Sequence, residues 1–538
     1  MPDSRYSGRD WIVLAVVCGF LFFYGLGTFG LVGADEPRYA QVAREMLERH
    51  DWVTPTLGHQ PWLEKPVLLY WGEIVAYRIF GVGDWAARIP SALFATLMIA
   101  AIYLFLRRFR PGSEMDGALM TASCAAVIGF ARAAATDMPL AANFSIALLA
   151  WYAWYESRER RWLFTAYGFL GLATLAKGPV AAVFFALIVL VFVLVRWDWR
   201  LVGQSLWMPG VAVYLAVTLP WYVAVQLRNP EFFRVFVLEH NLARFGTDLY
   251  RHHQPCGYFV PVALIGLLPW TIFTLAAVTE TVRGWWREGR RVFEGEDAFD
   301  VFLLLWLAIP IVFFSLSHSK LPGYILPALP AAPLLLASYV RRRMDSDQPA
   351  GKIMVVLHAL LTGIVVMPCL LISYLVLVHR LPWGRGTLVA GVVSLLVAVG
   401  MYVSLRGRSG WRLLHFSTLA PVVVAVAAIL RLGGAAIDQE NSARPVAEVL
   451  ARNDTAAGVL PIAVFDVPRQ TEYGLNFYRN QIASSYDRGE IPTSAHMLVA
   501  REGAQGDLAK LIGSRVVIPI GANPAQHLEF YRVEAGVR

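Results

Sequence analysis

Long apolar segments without charge decide what this chain can fold into. The segments 11–27 and 180–195 contain no charged side chain. About twenty apolar residues in a helix are enough to cross the hydrocarbon core of a bilayer, which is roughly 30 Å thick. The whole chain is 57% hydrophobic and 16% charged, whereas soluble proteins are about half apolar and a quarter charged. The sequence therefore predicts an integral membrane protein with many spans.

The first apolar segment is interpreted as a retained span. It is followed by Gly-Ala-Asp-Glu-Pro-Arg at 33–38 and not by a small-residue cleavage site, so it does not have the pattern of a signal peptide.

Thirteen spans are predicted from the apolar segments and their flanks. They lie near 11–28, 85–106, 117–131, 138–155, 162–176, 179–195, 207–226, 257–280, 300–316, 324–340, 353–378, 386–405 and 413–431. If the N-terminus is cytoplasmic, every second connection is rich in arginine, for example Arg107, Arg108 and Arg110 after the second span. Cytoplasmic loops carry such an excess. An odd number of spans leaves the C-terminus on the non-cytoplasmic side.

The net charge of +8 is explained by this arginine bias, and no nucleic-acid partner is expected. The cysteines are interpreted as packing residues, because they lie in or beside apolar segments without metal-like spacing. They are Cys18, Cys124, Cys256 and Cys369.

The chain is predicted to consist of two domains. Residues 1–432 form the membrane domain, with outward loops near 29–84, 131–138, 227–256 and 317–324. Residues 433–538 form a soluble α/β domain on the same outward side, with an amphipathic stretch near 443–451 and β-rich segments at 462–465, 497–499 and 516–520. Alternating helix and strand signals favour this class. The domain lacks a glycine-rich phosphate motif, so it is interpreted as a lid or docking module for the membrane part, with a second active site as the alternative.

The largest outward loop, 29–84, places Asp35 and Glu36 beside Arg38, with Glu64 and Lys65 farther along. Carboxylates and cations at a membrane boundary can act as acid/base groups, sugar or metal ligands and phosphate clamps. Solvated ion pairs are the alternative. An amphipathic helix begins near Tyr39, and the segment 67–80 is predicted to lie in the interface because it is too polar for a span.

Two further outward loops carry candidate groups. The turn 131–139 places Asp137 at the mouth of a span, where capping the following helix is the alternative role. The segment 229–254 holds Arg244, His252 and His253. These histidines are candidate metal or phosphate ligands, although an isolated histidine is more often a surface residue.

Two short links add further groups on the same side. The segment 176–179 carries Lys177, and the segment 317–324 carries Lys320 and Tyr324. Their prolines and glycines suit broken helix ends, whose free backbone groups can bind ligands.

These motifs together resemble the GT-C-type integral membrane glycosyltransferases, and within them the bacterial aminoarabinose transferases of lipid A. The resemblance rests on short motifs that recur in order along the membrane domain. They are Gly-Ala-Asp-Glu-Pro-Arg-Tyr at 33–39, Glu-Lys-Pro at 64–66, Asp-Met-Pro at 137–139, Ala-Lys-Gly-Pro at 176–179, Glu-His through Arg at 239–244 and Ser-Lys-Leu-Pro-Gly-Tyr-Ile-Leu-Pro at 319–327.

The resemblance implies transfer of 4-amino-4-deoxy-L-arabinose from undecaprenyl phosphate to a lipid A phosphate, on the periplasmic face of the bacterial inner membrane. No nucleotide is needed, since the sugar arrives on its lipid. Asp35 and Asp137 would then position the acceptor or stabilise positive charge on the sugar. Cations and polar groups would hold the substrates and their phosphates: Arg38, Glu64, Lys65, Lys177, Arg244, Lys320 and Tyr324.

A divalent metal ion, zinc or similar, is a further expectation, with Glu64, His252 and His253 as candidate ligands. The competing functions are transfer of another sugar, such as mannose or galactosamine, and membrane transport or lipid flipping. Transporters usually carry ionisable residues at midplane depth, whereas the polar residues here lie in loops on one face.

Overall fold

The computed structural model describes residues 4–236, 239, 254–295, 297–346, 349–377, 383–406, 410–454 and 458–535. Most of the described chain is helical. Six of its helices are long and apolar enough to cross a membrane, and the number becomes eight if each of two bent helix pairs counts as one span.

The membrane part and its loops contain helices separated by short connections. The α-helices are Ser4–Cys18, Asp35–Glu48, Leu68–Phe80, Asp84–Phe109, Glu114–Ala122, Ala125–Ala131, Asp137–Ser157, Arg161–Lys177, Val180–Arg196, Arg200–Ser205, Met208–Arg228, Phe259–Gly266, Thr271–Glu288, Asp297–Ser315, Ala331–Asp345, Lys352–Leu377, Trp383–Arg406 and Gly410–Ala428. Short 3-10 segments are Cys256–Tyr258, Gly289–Glu294 and Pro322–Ala328, and π-helical turns are Gly19–Phe23 and Ile429–Gly433.

Within the described ranges, most residues of each predicted span are helical, because a helix satisfies its own backbone hydrogen bonds inside the bilayer. Aromatic side chains fill the centre of the bundle. Trp151 and Tyr152 of the helix Asp137–Ser157 pack against Phe302, with ring centroids 5.6 and 4.9 Å apart.

Several of the predicted spans are broken helices, including the segment predicted as 324–340, which bends by 42°. The segment predicted as 257–280 bends by 117° between its two halves, and the segment predicted as 117–131 divides at Ser123 and Cys124. The last two breaks satisfy each other's polar groups. The backbone N–H of Ala125 donates to the carbonyl of Leu268 at 2.9 Å, and Trp270 Nε1 donates to Ser123 Oγ at 2.9 Å. Pro269 lacks an N–H, so a break there leaves fewer unpaired backbone groups.

The C-terminal part is a three-layer α/β domain. Its strands are β3 (Ile462–Phe465), β4 (Ser484–Ser485), β5 (His496–Arg501), β6 (Val517–Asn523) and β7 (Leu528–Val533), after a two-stranded hairpin of β1 (Thr56–Leu57) and β2 (Gln60–Pro61) in the first loop. The order in the sheet is β4-β3-β5-β7-β6. β3 runs parallel to β4 and β5, and β7 runs antiparallel to β5 and β6.

Helices cover both faces of this sheet. Arg444–Arg452 and Arg469–Arg479 share a core with Ile462 and Val464, whereas Gln505–Ile512 packs on the face that holds Ala463. Alternate residues of a strand point to opposite faces, which explains this division. The remaining helix is Gly434–Asn441, and the 3-10 turns are Tyr486–Arg488 and Pro524–Gln526.

The predicted fold class, a polytopic helical membrane protein with a C-terminal α/β domain, is confirmed. The predicted β-rich segments at 462–465, 497–499 and 516–520 coincide with β3, β5 and the first part of β6, the amphipathic stretch near 443–451 forms the helix Arg444–Arg452, and β7 was not predicted. The count of thirteen spans and the domain boundary at residue 433 stay predictions.

Candidate active site

Asp35 and Arg38 lie on the first turn of the helix Asp35–Glu48. A carboxylate at this position is favoured by the helix dipole. Arg38 Nη2 lies 2.5 Å from Asp35 Oδ1, and the two side chains are 15% and 58% exposed. The pair thus combines an accessible carboxylate with a cation that is almost covered.

Three aromatic rings surround the Arg38 guanidinium. Its central carbon lies 5.1 Å from the ring centroids of Tyr39 and Trp62, and 5.8 Å from that of Tyr473. Burial lowers the pKa of Arg38, but Tyr39, Asp35 and Glu64 outweigh it and raise this pKa above its ordinary value. Arg38 is therefore a permanent positive charge. Its Nε is buried and has no hydrogen-bond partner within the described part of the chain.

A short hairpin brings Glu64 and Lys65 towards this helix. The backbone N–H groups of Gly58 and His59, in the turn between β1 and β2, donate to the two oxygens of Glu45 at 2.8 and 3.0 Å. Both turn residues have a positive φ of 61°, which suits a tight hairpin turn. Glu64 and Lys65 follow the hairpin and are half-buried.

Glu36 has a different role from Asp35, although the two are adjacent in sequence. It is 5% exposed and accepts two hydrogen bonds from Arg88, at 2.9 and 2.7 Å. It also accepts from the backbone N–H groups of Val32 at 2.8 Å and Ala134 at 2.7 Å. The Glu36–Arg88 pair thus ties the first loop to the loop before Asp137.

Asp137 and Lys177 form the second part of the site. Lys177 Nζ lies 2.6 Å from Asp137 Oδ1, and the side chains are 14% and 16% exposed. The residue that precedes the helix Asp137–Ser157 is Thr136, and this helix has no side-chain cap. The carboxylate of Asp137 therefore pairs with the Lys177 ammonium group and does not cap the helix.

The segment that carries Lys320 and Tyr324 packs against this pair. Lys177 Nζ lies 5.3 Å from the Tyr324 ring centroid, and a Cβ atom at Gly323 would lie 2.4 Å from Asp137 Oδ1. Only glycine permits this approach. Lys320 is 6% exposed, and its ammonium donates to the Ser317 carbonyl at 2.5 Å.

Tyr39 connects the two parts of the site. Its side chain is 4% exposed, and its pKa is raised first by burial and then by the charges of Asp35 and Asp137. The ring of Tyr70 lies 6.1 Å from that of Tyr39. The Tyr70 hydroxyl is buried and, among the described residues, has no hydrogen-bond partner. Tyr39 thus lies within electrostatic range of both Asp35 and Asp137.

The structure thus brings together Asp35, Arg38, Asp137, Lys177 and Tyr324, with Glu64 within electrostatic range of Arg38. Arg244, His252 and His253 lie outside the described residues. Within the described ranges, no group of three or more His, Cys, Asp or Glu side chains could hold a metal ion. Glu64 is the one proposed metal ligand that can be placed.

Sequence reasoning missed Arg88, Trp62 and Tyr473. Arg88 could have been noticed, because an arginine inside an apolar span is costly unless it is paired. Trp62 stands two residues before Glu64, where aromatic residues are common at membrane interfaces. Tyr473 lies in the C-terminal domain and Arg38 in the first loop of the membrane domain, so no local sequence signal connects them.

Comparison with known proteins places this chain in a family. Residues 64–223 match the family model described as dolichyl-phosphate-mannose-protein mannosyltransferase. An undecaprenyl phosphate-alpha-4-amino-4-deoxy-L-arabinose arabinosyl transferase from Pseudomonas aeruginosa is 32% identical over 344 residues, which are 62% of this chain and 60% of that protein. In this match the chain spans less than two thirds of its relative's length.

The protein of the same name from Edwardsiella ictaluri is 30% identical over 429 residues, which are 75% of this chain and 73% of that protein. The crystal structure of ArnT from Cupriavidus metallidurans bound to undecaprenyl phosphate has the same fold. It matches with a TM-score of 0.77 at 24% identity, over 98% of this chain and 99% of that one. The chain therefore belongs to the family of undecaprenyl phosphate-aminoarabinose arabinosyl transferases, within the GT-C membrane fold.

Proposed function

We propose that this protein transfers 4-amino-4-deoxy-L-arabinose from undecaprenyl phosphate to phosphate groups of lipid A. The observation that carries the proposal is the convergence of two carboxylates, two cations and a tyrosine from four separate connections: Asp35, Arg38, Asp137, Lys177 and Tyr324. The names of the relatives and the undecaprenyl phosphate bound in the ArnT structure support this substrate class.

The reaction explains why the site needs cations. The bond between the sugar C1 and the donor phosphate oxygen breaks, and an oxygen of the acceptor phosphate forms a new bond to C1. The departing undecaprenyl phosphate keeps the electron pair and gains negative charge. Fixed positive groups in a water-poor site stabilise such charge in the transition state. An ionised phosphate acceptor needs no strong general base.

The surroundings of the cations suggest how they divide this work. Lys177 is paired with Asp137, so the two side chains together add little net charge. Lys320 is buried, and its partner among the described residues is the neutral Ser317 carbonyl. A buried ammonium group without a carboxylate partner is well suited to a phosphate. We assign Lys320 to the donor phosphate, together with Lys65 and Arg244.

Asp35 and Arg38 have complementary roles in this proposal. Asp35 is the most exposed carboxylate of the site, so we assign it to the acceptor or to positive charge that develops on the sugar ring. Arg38 is held in place by Asp35 and by the aromatic rings. It acts as a fixed charge that need not reorganise during the reaction.

We also propose the orientation in the bacterial inner membrane. The N-terminus is cytoplasmic, and the site and the C-terminal domain face the periplasm. The arginine-bearing connections support this orientation, since Arg110 and Glu156 from two of them pair at 2.5 Å. Arg110 follows the C-terminal end of the helix Asp84–Phe109, whereas Arg88 lies near the N-terminal end of the same helix. A helix of this length spans about 39 Å.

A divalent metal ion near Glu64, with His252 and His253, remains part of the proposal. Its test is exhaustive chelation of the purified protein, followed by elemental analysis and a transfer assay. Full activity in protein that contains no metal would show that the transfer reaction does not need the ion.

A second candidate function is transfer of mannose or another sugar from a polyprenyl phosphate. The match of residues 64–223 to the mannosyltransferase family model favours it. The two functions predict different sugars on the product, and they can be separated by mass.

The test is mass spectrometry of lipid A from cells that make the aminoarabinose donor and lack their own transferase. Expression of this chain should add the mass of aminoarabinose to the lipid A phosphates, and expression of the Asp35→Asn variant should not. A hexose increment would support the second candidate, and unchanged lipid A with normal amounts of membrane-inserted protein would refute the first.

A further inference from the structure

The segment 26–36, called the linking segment below, connects the first membrane helix to Asp35 and is held from two sides. On the membrane side, Arg88 donates to the carbonyls of Leu26, Phe29 and Gly30 at 2.7, 2.9 and 2.8 Å. On the other side, the contacts come from the C-terminal domain. The inference is based on the contacts from the C-terminal domain, because nothing in the proposed reaction requires them.

Side chains of the C-terminal domain bind the backbone of the linking segment directly. The N–H of Gly30 donates to Asp438 Oδ1 at 2.8 Å, and the N–H of Leu31 donates to the Tyr478 hydroxyl at 2.6 Å. Val32 forms a β-bridge with Ser442. These are backbone contacts, so they fix the path of the chain whatever its side chains.

Asp84 at the start of a membrane span completes this arrangement. The Tyr478 hydroxyl donates to Asp84 Oδ1 at 2.6 Å, and Arg444 donates to Asp84 Oδ2 at 2.9 Å. Arg444 also donates to Asp438 at 2.7 Å and to the carbonyl of Thr28 at 3.2 Å. One hydroxyl thus joins the linking segment to the membrane span, and it belongs to the C-terminal domain.

The close fit leaves little freedom in this contact. A Cβ atom at Gly30 would lie 2.2 Å from Ser442 Oγ and 2.5 Å from the Tyr478 hydroxyl. Tyr478 is half-buried, where a lost hydrogen bond is not fully replaced by water.

The same helix of the C-terminal domain also packs on the helix that carries Asp35 and Arg38. Arg44 donates to the Phe477 carbonyl at 3.0 Å, and Asn480 donates to Glu48 at 3.1 Å. The Tyr473 ring lies over the Arg38 guanidinium. The helix Arg469–Arg479 therefore contacts both ends of the helix Asp35–Glu48.

We propose that Tyr478 and Arg444 are positioning residues of the transfer reaction, through which the C-terminal domain fixes Asp35 and Arg38 in their catalytic arrangement. Neither residue is among those assigned above to the substrates. This inference rests on the proposed function for its kinetic consequence, whereas its structural part can be tested without substrate.

The kinetic test compares two single-hydroxyl variants of the C-terminal domain. Tyr478→Phe removes the hydroxyl that joins Leu31 and Asp84. Tyr531→Phe is the matched control, because its hydroxyl bonds Glu529 within the sheet at 2.5 Å. Both are assayed in the full purified chain with lipid-linked aminoarabinose as donor.

Tyr478→Phe should lower kcat by about 10-fold to 100-fold, the range expected for a small displacement of catalytic groups. The donor KM and the thermal unfolding temperature should stay close to those of the Tyr531→Phe control. An unchanged kcat would overturn the proposal. So would a loss of activity that follows a loss of folded protein, since that indicates a purely structural contact.

The second measurement is hydrogen–deuterium exchange without substrate. In Tyr478→Phe, amide exchange in the linking segment should rise while exchange in strands β3 and β5 stays as in the control. Unchanged exchange in the linking segment would overturn the positioning role even if activity falls. If the wild-type protein transfers no aminoarabinose, the proposed function fails, and the exchange result still decides whether the domain holds the segment.

Discussion

Replacing Arg88 with methionine removes a guanidinium group that donates five hydrogen bonds. Two of these bonds go to Glu36 and three go to backbone carbonyls of the linking segment. Arg88 is 1% exposed and Glu36 is 5% exposed, so water does not replace the lost partner. The variant keeps a side chain of similar length and leaves the Glu36 carboxylate without its counter-ion.

Breaking a buried ion pair by removing one partner costs about 3–5 kcal/mol, because the remaining charge is left unpaired. Such a cost is a large part of the roughly 5–15 kcal/mol that keeps a typical domain folded. Adding Glu36→Gln removes the unpaired charge and keeps one oxygen, which can accept from either Val32 or Ala134, because these two N–H groups donate to different oxygens of Glu36. The double variant should therefore recover about 0.5–3 kcal/mol of the loss.

The assay is denaturant unfolding of the purified protein in detergent micelles. Arg341→Met is the control, because Arg341 pairs with Asp345 at the surface with side chains 45% and 59% exposed. The control should lose less than about 1 kcal/mol. If Arg88→Met also lost less than about 1 kcal/mol, or if the double variant recovered no stability, Glu36 and Arg88 would not be the buried ion pair that holds the first loop.

Three further outcomes are expected. Asp35→Asn should lower the initial transfer rate by about 100-fold or more in vesicles with normal amounts of folded protein. A wild-type rate would show that Asp35 is only a partner in a surface ion pair. Lys320→Met should slow transfer and weaken inhibition by free undecaprenyl phosphate; equal inhibition of variant and wild type would remove it from the phosphate site. Burial lowers the pKa of His496 from 6.5, although the Ser494 carbonyl opposes this. As the pH falls, His496 therefore binds a proton at a higher pH in the unfolded chain than in the folded chain. The stability that neutral His496 contributes should be present above about pH 6.5 and decline as the pH falls towards its folded pKa. Thermal unfolding against pH should show this decline in the wild type and less of it in His496→Gln.

The helices of the membrane part could be predicted because a bilayer demands long apolar segments. The break in the segment 257–280 could not be predicted from apolarity, since Leu267 and Leu268 continue the pattern. Pro269 was the available local signal. The contact that satisfies the break joins Trp270 to Ser123, which are 147 residues apart in sequence.

The candidate site shows the same division between local and distant information. The loop positions of Asp35, Asp137 and Lys177 follow from the topology, and the structure brings them together. The difference between Asp35 and Glu36 could not be read from two adjacent carboxylates. It depends on Arg88, which lies 52 residues after Glu36.

The contacts of the C-terminal domain with the first loop were the least predictable part. A lid or docking module was expected from its composition, but composition does not reveal which residues contact the first loop. Tyr473 lies against Arg38 because the helix Arg469–Arg479 packs on the helix Asp35–Glu48. Such a contact between distant segments depends on how the two domains pack together.

The proposed function is tested most directly by transfer with the purified protein in lipid vesicles that contain lipid A. Two donors are compared: undecaprenyl phosphate carrying 4-amino-4-deoxy-L-arabinose and the same lipid carrying mannose. Mass spectrometry should detect aminoarabinose on lipid A phosphates with the first donor and no hexose with the second. Product with the mannose donor alone, or no product with the aminoarabinose donor in folded protein, would contradict the proposed function.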